Sequence, residues 1–191
     1  MTKKIDFYFD FISPYSYLAH QKIKQTKNID FDYKPVLVGG LHNLQSITAP
    51  AFIKPKLKHM IHDCDLIAKK DKSNFIWNSK FPINSLNIMR GYLFIDNENK
   101  DSYLNLIFDA YWKDNLDISN EEILKPILSR CKINPINFFD GIKDPKIKDE
   151  LKIVTQEAHD NEIFGVPTFV VNNKIFWGQD RLEFALDEYS K

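Results

Sequence analysis

Two segments at opposite ends of this 191-residue chain constrain its fold most: FYFDFISPYSYLA, Phe7 to Ala19, and FGVPTFVVNNKIFWGQDRLE, Phe164 to Glu183. In and just before the first, Ile5, Phe7, Phe9 and Phe11 alternate with Asp6, Tyr8 and Asp10, the period of two of a strand with one face in a core. A helix is predicted directly after it, running through Leu18, His20 and Ile23. Ser13 is its N-cap, and Pro14 takes the first helical position, where a missing N–H costs nothing. The second segment predicts a hairpin, with Thr168 to Val171 and Ile175 to Trp177 joined by an Asn172-Asn173 turn. A final helix is expected to open at Asp180, with Glu183 completing a capping box and Leu182, Ala185, Leu186 and Tyr189 on its apolar face.

Between the ends the periodicity changes. Phe31 to Val38 reads as one more strand, an edge at Pro35, and completes a βαβ unit. From there the spacing is helical: Leu57, Met60, Ile61, Cys64 and Ile67, then Tyr103, Leu104, Ile107, Phe108, Tyr111 and Trp112. Ser119 and Glu122 form a capping-box signature ahead of Ile123, with Pro126 expected to kink or shorten that helix. Asn134-Pro135 and Asp144-Pro145 read as two more helix starts. The order βαβ, helices, ββα predicts an α/β chain: a thioredoxin-like fold made of residues 1–38 and 158–191, interrupted by an all-helical insertion subdomain over 39–157.

A thioredoxin-type oxidoreductase needs Cys-x-x-Cys at the start of the first helix, where the helix end lowers a thiol pKa. Here that stretch is Ser13-Pro14-Tyr15-Ser16. A hydroxyl cannot cycle through a disulfide, but it can hydrogen-bond a sulfur that arrives with a ligand. Glutathione is the candidate ligand. Cys64 and Cys131 each fall on the apolar side of a helical pattern and read as buried free thiols. The 26 basic and 26 acidic side chains cancel without a basic block, which argues against a nucleic-acid partner. Met1 to Phe11 carries no apolar leader core, and no stretch approaches the roughly 18 apolar residues of a membrane span, so a cytoplasmic protein is expected. His59 and His62 lack a third spaced ligand, so no metal site is expected; His20, His42 and His159 are solitary.

At Ser13-Pro14-Tyr15-Ser16, Gly165-Val166-Pro167-Thr168 and Trp177-Gly178-Gln179-Asp180-Arg181 the chain resembles the 2-hydroxychromene-2-carboxylate isomerase family, kin of the kappa-class glutathione transferases. Phe81-Pro82-Ile83-Asn84 and the stretch PVLVGG from Pro35 to Gly40 extend the likeness along essentially the whole chain. The resemblance implies the DsbA/kappa arrangement of the fold, a homodimer, and glutathione as cofactor. It makes Ser13 the catalytic serine that steadies glutathione thiolate. It further implies a cis Pro167, with Val166 offering backbone N–H and C=O to the cysteinyl part. Gln179 and Asp180 would hold the γ-glutamyl end, while Trp177 and Gly178 shape the approach; Asp180 also reads as a plain helix cap and Arg181 as a surface charge. Lys56 matches a family lysine placed for the glycyl carboxylate or an acidic substrate, though Lys54, Lys56 and Lys58 also read as a solvated face.

Asn84, and Ser85 where one branch has tyrosine, would face the substrate. Ile47-Thr48-Ala49-Pro50 departs from the Asn-Thr-Pro-Pro of relatives, losing an asparagine contact. The expected activity is a glutathione-dependent isomerisation of an unsaturated aromatic keto acid. The alternatives are a kappa-like transferase or peroxidase, a DsbA-type oxidoreductase, and a non-catalytic binding module.

Overall fold

The structure, a computed structural model, describes residues 3–191. Met1 and Thr2, the first residues of the stretch read as lacking a leader, lie outside the described residues. Strand β1 (Ile5–Phe9) pairs in parallel with β2 (Phe31–Pro35) and antiparallel with β3 (Thr168–Val171), which pairs antiparallel with β4 (Lys174–Trp177). The mixed sheet has the order β2-β1-β3-β4, leaving Pro35 on an edge as its missing N–H requires. Asn172 and Asn173 turn the β3–β4 hairpin with φ of 51° and 58°, a left-handed pair that asparagine tolerates.

Helix α1 (Pro14–Ile23) crosses from β1 to β2, and α9 (Leu182–Tyr189) closes the chain against β3. Between β2 and β3 come seven helices: α2 (Val38–Leu44), α3 (Lys54–Asp71), α4 (Leu86–Phe94), α5 (Asn97–Trp112), α6 (Glu121–Arg130), α7 (Pro135–Gly141) and α8 (Pro145–Asp160). This is the thioredoxin-like fold interrupted by helices that the sequence order predicts. No helix among the described residues is long and apolar enough to cross a membrane.

The alternation of β1 sends Ile5, Phe7 and Phe9 to one face, where α5 meets the sheet through aromatic rings. Phe108 lies 4.8 Å from Phe11, 5.9 Å from Phe9 and 6.0 Å from Tyr17, centroid to centroid. On the other face Val36, Leu41, Ala158, Ile163 and Val166 form a smaller cluster beneath Tyr8 and Val170. Cys64 and Cys131 are buried free thiols.

Four local expectations are corrected. The second strand stops at Pro35, and Val38 opens α2 instead, its N–H taken by the Asp10 carboxylate. The N-cap of α6 is Asn120, which accepts the Glu122 N–H, while the Ser119 hydroxyl turns back to Asp117. Pro126 does not end α6, which continues to Arg130; the proline is exposed, so the carbonyl it leaves unbonded has access to water. At the C-terminal end, Gln179–Arg181 is a 3-10 turn and α9 starts only at Leu182. Asp180 therefore caps nothing; its carboxylate pairs with the Arg181 guanidinium at 2.7 Å.

Candidate active site

Ser13 caps α1 with its Oγ, accepting the Ser16 N–H at 3.1 Å. Its own hydroxyl donates to the Val166 carbonyl at 3.4 Å, a long bond that a better acceptor would displace. Both residues are nearly buried, and Val166-Pro167 is a cis peptide, so the loop before β3 faces the start of α1 as the resemblance implies. The Val166 N–H has no hydrogen-bond partner among the described residues. Ser16 adds a buried hydroxyl that likewise has none.

The loop is held by its own side chains. Thr168 Oγ1 donates to the Gly165 carbonyl at 2.7 Å, and the Gly178 N–H donates to the Pro167 carbonyl at 2.9 Å. Gly178 has φ of 116°, a conformation open to glycine alone among common residues, and this sharp exit from β4 brings Gln179 beside α1. There Lys22, in the last turn of α1, donates to Gln179 Oε1 at 2.7 Å and pairs with Asp71 at 3.1 Å. The bond holds the Gln179 carbonyl on Lys22, leaving its NH2 as the end free to meet a ligand. Trp177 is half exposed and stands edge-on to Phe164, 5.0 Å between centroids. Its indole crowds Gly165, where a Cβ would lie 2.9 Å from Nε1.

Ser13, Val166, Pro167, Gly178 and Gln179 are thus joined by direct contacts, or through Lys22, with Trp177 at the rim and Asp180 exposed beside it. Of the remaining candidates, Lys56 and Asn84 make no hydrogen bond to this group among the described residues, and Ser85 is linked to the serine turn through Asp10. Lys56 is exposed in the first turn of α3 with no ion pair or hydrogen bond among the described residues. Asn84 borders a cavity of about 140 Å³ floored by Ile88, Ile118, Leu124 and Phe139. Ser85 is buried and hydrogen-bonds Asp10 at 3.0 Å. Ile47 is half exposed.

Three contributors escape a sequence reading. Asp10 reads as the outward partner in the β1 alternation, yet it is fully buried, because the strand ends at Phe9 and the alternation with it. Burial raises its carboxyl to about 6, while bonds from Val38, Ile12 and Ser85 pull the other way. Lys22 is one lysine among many in sequence, and only the fold sets it against Gln179. Tyr15 donates to Asp63 at 2.8 Å, tying the first turn of α1 to α3 beside Cys64. Burial pushes the Cys64 thiol up to about 12, so the cysteine beside this turn is a thiol, not a thiolate, at neutral pH.

The family model of the DSBA-like thioredoxin domain matches residues 4–190. The chain belongs to that family. Within this DsbA-like family it is 26% identical to the 2-hydroxychromene-2-carboxylate isomerase of Sphingobium xenophagum, over 99% of this chain and 98% of the relative. It is also 26% identical to glutathione S-transferase kappa 1 of Caenorhabditis elegans, over 96% of this chain and 89% of that one. A solved 2-hydroxychromene-2-carboxylate isomerase superposes with a TM-score of 0.87 at 23% identity, covering 96% and 92% of the two chains. The cytosolic disulfide reductase DsbM of Pseudomonas aeruginosa, solved with GSH, superposes with a TM-score of 0.66 at 14% identity, covering 98% and 96%. The resemblance drawn from the sequence motifs therefore holds at the level of the DsbA-like family and its fold. This DsbA-like chain carries Ser-Pro-Tyr-Ser at the start of α1, where an exchange of disulfides would need cysteine.

Proposed function

We propose that the chain is a glutathione-dependent isomerase acting on an unsaturated aromatic keto acid. The observation that carries this reading is the buried Ser13 hydroxyl, weakly engaged by the Val166 carbonyl, at the start of a helix with no cysteine. Full-length similarity to isomerases and kappa-class transferases supports the reading. So does the fit of the site to a tripeptide thiol: a long, displaceable hydrogen bond on Ser13 and an unpartnered N–H on Val166.

When bound, glutathione would supply a thiolate nucleophile able to add reversibly to an electron-poor conjugated carbon, and would leave unchanged. The chain's own residues make that possible. Ser13 turns its hydroxyl from Val166 to the sulfur, and together with the N–H groups of the first turn of α1 it favours the charged form. Val166 binds the cysteinyl backbone by a short strand addition. Gln179 donates its NH2 to the γ-glutamyl carboxylate, and Asp180 exchanges Arg181 for the amino group of the same residue. Trp177 and Gly178 border the entrance. Lys56, Asn84 and Ser85 belong to the substrate side of the reading, between the thioredoxin-like residues 1–38 and 158–191 and the insertion 39–157. A cytoplasmic setting and a homodimer come with the resemblance.

The test is to follow thiol and substrate together. Isomerisation at constant thiol is expected, with turnover lowered about 100-fold or more in Ser13→Ala. Stoichiometric loss of thiol would instead make the protein a transferase. Unchanged turnover in Ser13→Ala would remove the serine from the mechanism.

A further inference from the structure

Asp10 is wholly buried and takes no part in the chemistry above. Its carboxylate accepts three hydrogen bonds, from the Ile12 N–H at 3.1 Å, the Val38 N–H at 2.9 Å and the Ser85 hydroxyl at 3.0 Å. Its main-chain carbonyl accepts the Ser13 N–H at 3.0 Å. These donors come from three places. Ile12 and Ser13 form the turn that presents the serine. Val38 opens α2, whose own N-cap position holds Leu37 and has no side chain to offer; the Asp10 anion fills that role from outside, at the favourable end of the helix dipole. Ser85 occupies the N-cap of α4, yet its hydroxyl leaves that helix uncapped and turns to Asp10.

A buried carboxylate bound only by neutral donors is an arrangement that an apolar or amide side chain would make less costly. Such arrangements concentrate where function needs them. We infer that Asp10 is a positioning residue of the glutathione site, its ionised carboxylate locking the Ser13 turn to the start of α2 and to Ser85 of the helical stretch. The inference rests on the glutathione reading.

Protonating Asp10 removes the negative charge that the Ile12 and Val38 N–H groups bind and lets the Ser85 hydroxyl turn from donor to acceptor, so the lock loosens as the acid form fills. Burial places that change near pH 6. The shift has no contribution from a lysine, arginine, histidine or second carboxylate. Tyr111 of α5 feels the Asp10 charge and stays a neutral phenol in this range. Arg90 of α4 stays charged. His42 of α2, the helix that Asp10 caps, also has its pKa lowered by burial, so it needs its own control.

The experiment measures affinity for S-methylglutathione, whose sulfur carries no proton, by calorimetry between about pH 5 and about pH 7. For the unaltered protein, affinity falls about tenfold toward the acid end with a midpoint near 6. Asp10→Asn binds at the weak acid-side level throughout and shows no step. Ser85→Ala, which removes a bond that lowers the Asp10 pKa, moves the midpoint to higher pH. His42→Gln leaves the step in place. A merely structural Asp10 would change melting temperature without flattening this profile. Flat affinity in the unaltered protein, or unchanged binding at neutral pH by a folded Asp10→Asn, overturns the inference while the glutathione reading stands. Absence of any binding by the unaltered protein at millimolar ligand overturns that reading. In ligand-free protein, nuclear magnetic resonance then decides the coupling itself: the Ser13 amide shifts with the Asp10 carboxyl midpoint, and an amide that ignores it refutes the lock.

Discussion

Asp10 and His20 are both buried and titratable, and they pull stability in opposite directions as pH changes. Burial raises Asp10 to about 6 and lowers His20, whose ring meets Tyr33 at 2.8 Å and Asn105 at 3.1 Å, to about 4. The raised carboxyl binds its proton more tightly in the folded state, so its contribution to stability falls as pH rises from about 4 to about 6. The depressed imidazole does the reverse: its contribution is present above about 6.5 and is lost as pH falls toward 4. Each amounts to about 3 kcal/mol, so the two slopes nearly cancel in the intact protein. Asp10→Asn removes one of them. Urea unfolding of this variant is expected to show stability dropping by about 3 kcal/mol between about pH 6.5 and about 4; a slope as shallow as that of the unaltered protein would contradict the account. Ser13 and Pro14 are legible in sequence because their roles are local, a cap and a first-turn proline. Asp10 is not, because its partners Val38 and Ser85 are distant along the chain and nothing in the alternation marks it as inward.

The elements whose ends are set by their own residues are the ones a sequence reading places well. Asn134 and Asp144 cap α7 and α8 as their Asn-Pro and Asp-Pro signatures predict, and the paired asparagines place the hairpin turn. Ends set by contacts from elsewhere are misplaced. Val38 starts a helix because Asp10 takes its N–H, and Asp180 fails as a cap because the sharp turn at Gly178 leads into a 3-10 turn and Arg181 takes its carboxylate. The link between α1 and the exit of β4 is Lys22, hydrogen-bonded to Gln179 and ion-paired with Asp71. Lys22→Met leaves the nearly buried Gln179 carbonyl without its donor and frees the amide to rotate. Glutathione affinity is expected to fall about three- to tenfold by calorimetry, the equivalent of about 1 kcal/mol, with circular dichroism unchanged. Equal affinity in the variant would show that Gln179 needs no such support.

Over the whole molecule, the insertion and the sheet share one aromatic core. Phe108 of α5 reaches the rings of Phe9, Phe11, Tyr17 and His20, and the Trp112 indole donates to the Phe11 carbonyl at 2.8 Å. The periodicity of α5 and β1 makes both apolar faces readable in sequence; that they meet each other is a tertiary fact that no spacing encodes. Phe108→Ala is expected to cost about 3–5 kcal/mol, a large part of the stability of a chain this size. Because the ring joins the two parts, near- and far-ultraviolet signals should lose their midpoints together; loss of only one would show that insertion and sheet fold separately. The catalytic reading depends on the same joint, since α1 carries Ser13 on the sheet side while Ser85 and α3 approach from the insertion. A crystal structure with glutathione is the decisive test. The sulfur is expected within hydrogen-bond distance of Ser13 Oγ and the cysteinyl backbone paired with Val166; a tripeptide bound elsewhere, or with its sulfur turned from Ser13, would refute the glutathione reading.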